Sequence, residues 1–213
     1  LVTTNVPFLG RGKQSDVLSS YCEKAHPTAK GDLATTFVER CLAFCDAEGT
    51  AALVTPQNWL FLSTYKHLRR ELLAVAQWML MARLGARAFE TITGEIVNVV
   101  LLGLTRSRPH RANHFAGYDA SVQRTPADKA TALLADPAIL VEQYGQRSNP
   151  DHRITLQAGI EGPLLLDVAD SYQGICTGDF LRFGRCSWEL AEVSGDWMFQ
   201  QTSSSGDSPI GGL

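Results

Sequence analysis

A chain of 213 residues with 45% hydrophobic content can bury one good core or one core plus part of a second, and a formal charge of −3 argues against a purely electrostatic nucleic-acid binder. No run reaches the roughly 18 apolar residues of a membrane span, so no membrane partner is expected. Five cysteines (Cys22, Cys41, Cys45, Cys176 and Cys186) are odd in number, lack CxxC spacing and follow no secretory signal, which points to a reducing, cytoplasmic setting.

Leu1, Val2, Thr3 and Thr4 predict a short apolar strand that ends in the tetrapeptide Asn5-Val6-Pro7-Phe8. Residues 9–15, rich in glycine and charge, read as a mobile loop. Ser15 and Asp16 then offer a cap for a helix carrying Val17, Leu18 and Tyr21. From Asp32, which offers a helix cap, Leu33, Phe37, Cys41, Leu42, Phe44 and Cys45 recur on one helical face. Cys41 and Cys45, one turn apart, read as core packing, and Gly49 as the helix stop. Residues 51–55 form an apolar run broken by Pro56, expected of a strand buried on both faces. Ser63 caps a helix through Leu68, Leu72 and Leu73, with Arg69 and Arg70 on its solvated face.

Residues 78–84 are a further apolar run, and residues 85–94 a loop bracketed by Gly85 and Gly94. Residues 95–104 have the β-branched weight of a strand. Alternating strands and helices make an α/β layout. Residues 106–117 read as a basic link in which His110 and His114 have no acid or cysteine at ligand spacing, so no metal is expected. Short helices are predicted over 127–134 and 137–144, and a helix or partly buried apolar segment over 161–171. Residues 60–111 hold eight basic residues against three acidic ones, whereas residues 112–213 hold six against thirteen. Any positive field therefore belongs to the first half of the chain. After Trp188 and Trp197 the sequence thins into Ser203, Ser204, Ser205 and Gly206, which read as disordered.

Four blocks now carry a resemblance: NVPF with LGRGK behind it, KGDLATTFVERCL, TAALVTPQNWLFLSTYKHLRREL and MARLGARAFETITGEIVNVVLLGL. In that order and spacing, residues 1–106 resemble the second half of the catalytic domain of adenine-specific DNA methyltransferases of the BREX phage-defence type, related to the fused restriction-modification methyltransferases. The implied fold is half of a Rossmann-like class I methyltransferase sheet. A mixed, partly helical connecting region over 107–167 and a truncated target-recognition region over 168–213 would follow. A later block, Gln173-Gly174-Ile175-Cys176-Thr177-Gly178-Asp179-Phe180-Leu181-Arg182-Phe183, resembles the opening of that recognition region and is equally compatible with a hairpin turn.

The resemblance implies transfer of a methyl group from S-adenosylmethionine to the exocyclic amine of an adenine in double-stranded DNA. That amine is a poor nucleophile because its lone pair is delocalised into the ring. The Asn5 side-chain oxygen would accept one of its N–H groups and the backbone carbonyl of Val6 the other, with Pro7 shaping the turn and Phe8 stacking on the flipped base. Phe37 matches the residue that packs on the donor's adenine ring, although its helix face is also the core face. Phe89 matches one that closes on the target base, and Arg182 is placed to touch a phosphate. Val6 stands where the family has a proline, which removes a rigid φ. The donor's glycine loop and ribose acid lie on the family's first two strands, which these 213 residues do not include. The implied partners are therefore the donor-binding half, DNA and other defence proteins, and the opening strand would sit at an exposed sheet edge. A non-catalytic DNA-binding or complex-forming remnant is the alternative.

Overall fold

The computed structural model describes residues 1–89, 97–156, 165–170, 179–192, 194–195 and 197–198. The chain divides into two compact units, residues 1–160 and 161–213. The first holds β1 (Val2–Asn5), α1 (Asp16–Ala25), α2 (Leu33–Phe44), β2 (Thr50–Pro56), α3 (Lys66–Val75), β3 (Gln77–Gly85), β4 (Val99–Thr105), β5 (His114–Asp119), α4 (Pro126–Ala135) and β6 (Ile139–Glu142). The described parts of the second are two short helices, α5 (Leu165–Val168) and α6 (Phe180–Phe183), and a 3-10 turn, Ser187–Glu189.

One six-stranded sheet in the order β1-β2-β4-β3-β5-β6 organises the first unit. β1 pairs parallel with β2 and β3 parallel with β5, while β4 and β6 run antiparallel to their neighbours. β1, β2, β3 and β5 therefore all end at the same rim. β1 lies at one margin of the sheet, where the resemblance places it.

Register explains which side chains make the core. Ala51 and Leu53 of β2 sit opposite Leu104 and Leu102 of β4, which sit opposite Trp78 and Met81 of β3; Phe115 of β5 lies opposite Val141 of β6. These residues share one face and one buried cluster with Val38, Cys41 and Leu42 of α2 and Leu68, Leu72 and Leu73 of α3. At its centre Trp78 stands between Trp59 and Phe115, with ring centroids 6.2 and 5.8 Å away. Cys41 and Cys45 are buried there too, as core packing requires. The opposite face is only half covered: Ala52, Val54, Leu80, Leu101 and Ala116 are partly exposed. β2 is thus buried on one face and not on two, because α2 packs on one side only.

Other local expectations are also corrected. α2 stops at Phe44, short of Gly49, because Arg106 donates to the carbonyls of Ala43 and Cys45 at 3.3 and 2.6 Å and caps the end. Ser63 opens a 3-10 turn, and α3 begins three residues later without a side-chain cap. The helix predicted over 137–144 is instead strand β6, whose Ile139, Leu140, Val141 and Glu142 pair with β5. Apolar β-branched content beside an available edge outweighs helical spacing in so short a segment. The strand predicted over 95–104 is β4, which begins only at Val99; residues 97 and 98 are not in a strand, and residues 90–96 lie outside the described residues.

The expected solvated position of Arg69 is overturned most sharply, since it is fully buried. Its guanidinium donates to the carbonyls of Trp59 (2.6 Å), Leu62 (2.8 Å), Asp151 (2.7 Å) and His152 (3.1 Å). Burial pulls its pKa to about 10 against the attraction of the Asp151 charge, so it remains a cation at neutral pH.

A second buried polar knot lies under β3. Gln143, 1% exposed, donates to the carbonyls of Leu73 and Ala76 at 3.2 and 2.9 Å, and its oxygen accepts from Trp78 N at 2.9 Å and Asn113 Nδ2 at 2.7 Å. Gln143→Leu keeps the volume but strips all four partners, and is expected to lower unfolding free energy by about 2–4 kcal/mol. A urea titration that leaves the midpoint unchanged would remove this network from the stability account.

Candidate active site

The end of β1 sorts its side chains by parity. Val2 and Thr4 are half-buried on the core side, Thr3 and Asn5 are exposed, and Val6, 3% exposed, returns to the core. Val6 N–H donates to Val54 O at 3.3 Å, continuing the β1–β2 pairing one residue beyond the strand. A proline at this position has no N–H to give. The valine thus replaces the lost φ restraint with a backbone bond.

Asn5 is presented outward at the rim, and its side-chain amide makes no hydrogen bond among the described residues. Its oxygen is free to accept. Pro7 is exposed, whereas Phe8 is half-buried and leans on the core cluster.

The loop behind Phe8 is held where the sequence suggested mobility. Asp32 Oδ1 accepts from Ala34 N at 2.8 Å, capping α2, and from Leu9 N at 3.3 Å. Leu33 N donates to Leu9 O, Arg11 N to Gly31 O, and Gln14 Nε2 to Leu9 O, at 2.9, 3.0 and 3.1 Å. Asp32 was legible as a cap but not as a clamp between the tetrapeptide and α2. Gly31 allows Tyr65 to close over this junction, because a Cβ there would lie 2.8 Å from the phenol oxygen. Burial, and then the Asp32 charge, push the Tyr65 phenol above its usual pKa. Asp32→Ala is expected to cost about 1 kcal/mol from the lost cap and to speed amide exchange at Leu9. Unchanged exchange at Leu9 would show that the clamp is unnecessary.

Phe37 lies on α2, half-buried, just over one turn from Asp32, so the clamp ties it to the same structural piece as the tetrapeptide. Phe89 is half-buried in the segment leaving β3 at the same rim, with β2 and β4 standing between that strand and β1 in the sheet. Gly85 (φ +64°) turns the chain there, and a Cβ on it would meet Ser121 Cβ at 2.8 Å.

Lys129 secures this exit in a way the sequence did not signal. Only 2% exposed, it donates to Leu84 O, Ala120 O and Gln123 O at 2.6, 3.1 and 2.6 Å. Burial lowers its pKa while the Asp119 carboxylate opposes the shift. Arg182 is exposed on α6 of the second unit, its guanidinium 5.1 Å from the Phe183 ring centre. Residues 173–178 of the glycine-rich block before it lie outside the described residues.

Arg11 Nη1, Gln14 Oε1 and Gln57 Oε1, all on segments that follow β1 or β2 at this rim, are buried without a hydrogen-bond partner among the described residues. Gln57 was not singled out from the sequence, where it reads as an ordinary post-strand residue.

Residues 1–85 match the family described as Eco57I restriction-modification methylase. The adenine-specific methyltransferase PglX of Lacticaseibacillus casei (strain Zhang) is 40% identical over 96 residues, covering 44% of this chain and 8% of that protein. The adenine-specific methyltransferase BrxX of Escherichia coli O9:H4 (strain HS) is 38% identical over 96 residues, covering 45% of this chain and 8% of its own length. The chain thus spans a small part of the curated relatives it matches. A solved structure from a type I restriction-modification system aligns over 78% of this chain and 40% of its own with a TM-score of 0.55 at 14% identity, a likeness of fold.

Proposed function

We propose that residues 1–106 form the base-holding half of a site-specific DNA adenine-N6 methyltransferase acting in the cytoplasm in phage defence or restriction-modification. The observation that carries this reading is the outward, unpaired amide of Asn5 at the end of a strand lying within the matched segment. An adenine swung out of its duplex would give one N–H to Asn5 Oδ1 and the other to the Val6 carbonyl, which localises the nitrogen lone pair for attack. Extrusion costs a few kcal/mol, and stacking on Phe8 offsets about 1–3 kcal/mol of it. Phe89 closes over the base, and Arg182 contacts a backbone phosphate.

When bound, S-adenosylmethionine supplies an electrophilic methyl group. Of this chain's residues, Phe37 fits its adenine ring. The glycine loop at Gly10 and Gly12 does not fit its methionine end, since the amides of Arg11, Lys13 and Gln14 are already spent on Gly31, Gly10 and Arg11 carbonyls. On this reading the methionine end of the donor is held by a segment other than residues 1–106. The test is reconstitution with such a segment and a labelled-methyl assay on an adenine-containing duplex. Label at adenine N6 supports the reading. Duplex binding without transfer would identify the chain as the non-catalytic DNA-binding or complex-forming remnant.

A further inference from the structure

The far end of the sheet, where β3 and β5 begin and β6 ends, carries a cavity of about 290 Å³ lined by His110, Arg111, Tyr144 and Arg147 over Leu73 and Gln143. No acidic side chain lines it. Its floor is rigid, because the Gln143 amide is fully used by Leu73, Ala76, Trp78 and Asn113. Arg147 spends one N–H on Leu73 O at 3.0 Å, and its guanidinium carbon stands 5.4 Å from the Tyr144 ring centre. Arg111 stands 5.4 Å from the same centre. The Arg111 guanidinium and the His110 ring have no hydrogen bond or ion pair among the described residues. Two guanidinium ions share one aromatic ring in a concavity whose lining holds no acidic side chain. Such a concavity focuses positive potential.

We propose that this cleft binds phosphoryl groups. Two guanidinium forks match the charge and the several acceptor oxygens of a phosphate dianion, whereas a single carboxylate would neutralise only one of them. Tyr144 supplies a surface against which both forks are held. The group can come from a small polyphosphate or from a nucleic-acid backbone. Since the cleft lies at the opposite end of the sheet from Asn5, its occupancy is independent of the methyltransferase reading.

The test is calorimetric titration of the full chain at low salt with inorganic pyrophosphate and, separately, with a short duplex lacking terminal phosphates. Arg111→Gln is the main variant, since Arg111 is exposed and bonded to nothing that holds the fold; Arg147→Lys is the second. Binding that weakens about tenfold in Arg111→Gln supports the site. Pyrophosphate as the sensitive ligand assigns a small polyphosphate, and the duplex, with an affinity that falls steeply with salt, assigns a backbone. Failure of both ligands to bind, or equal affinity in wild type and Arg111→Gln, overturns the proposal.

Discussion

Asn5→Ala is expected to reduce methyl transfer by the reconstituted enzyme about 100- to 1,000-fold, the usual cost of deleting one preorganised partner of a reacting group. On the proposed function the loss should fall on turnover and leave duplex affinity nearly intact, because Asn5 would act on a single amine while the proposed phosphate contact is made by Arg182. Folding is not at stake. Asn5 is exposed and its amide holds nothing among the described residues, so the variant should unfold within about 0.5 kcal/mol of wild type. Asn5→Asp retains an acceptor oxygen and should recover part of the rate. Transfer at the wild-type rate by Asn5→Ala would take this residue out of catalysis.

Arg69→Met should have the largest effect on stability, about 3–5 kcal/mol, because it leaves a set of buried carbonyls without a donor. Two of those carbonyls belong to Asp151 and His152, consecutive non-glycine residues in the left-handed region at φ 53° and 55°. Each such residue carries a conformational cost of about 1–2 kcal/mol, and the guanidinium holds the turn that contains them. Once it is gone, residues 150–156 lose their tie to α3 and to Trp59, although Ile154 N still reaches Leu60 O. Arg69→Lys should rescue little, since an ammonium lacks the planar fork that reaches all four oxygens. A chemical-denaturation midpoint within error of wild type would refute this account.

These two residues mark what could be read from sequence alone. Asn5 was singled out through a contiguous tetrapeptide and the three blocks that follow it in order, and the structure places it exposed at the end of β1. The Asp32 cap and the alternation of strands and helices were legible for the same local reason. Arg69 was not, because its partners at Asp151 and His152 lie more than 80 residues away and its neighbour Arg70 is indeed exposed. Lys129 escaped likewise, since a lone lysine on a short helix ordinarily faces water. β6 was misread because a four-residue segment carries too little period to tell strand from helix, and only the unpaired edge of β5 decided it. The basic cleft comes from residues 109–111 and 143–147, which adjoin only through the sheet.

The aromatic knot at Trp78 also divides the chain's light. Trp59 and Trp78 are fully buried in the first unit, while Trp188 and Trp197, in the second, are 83% and 37% exposed. Emission at short wavelength therefore reports on the sheet, and emission at long wavelength on residues 161–213. If the units melt separately, the fluorescence spectrum changes shape in two steps, and a denaturant series read at two colours separates them without a label.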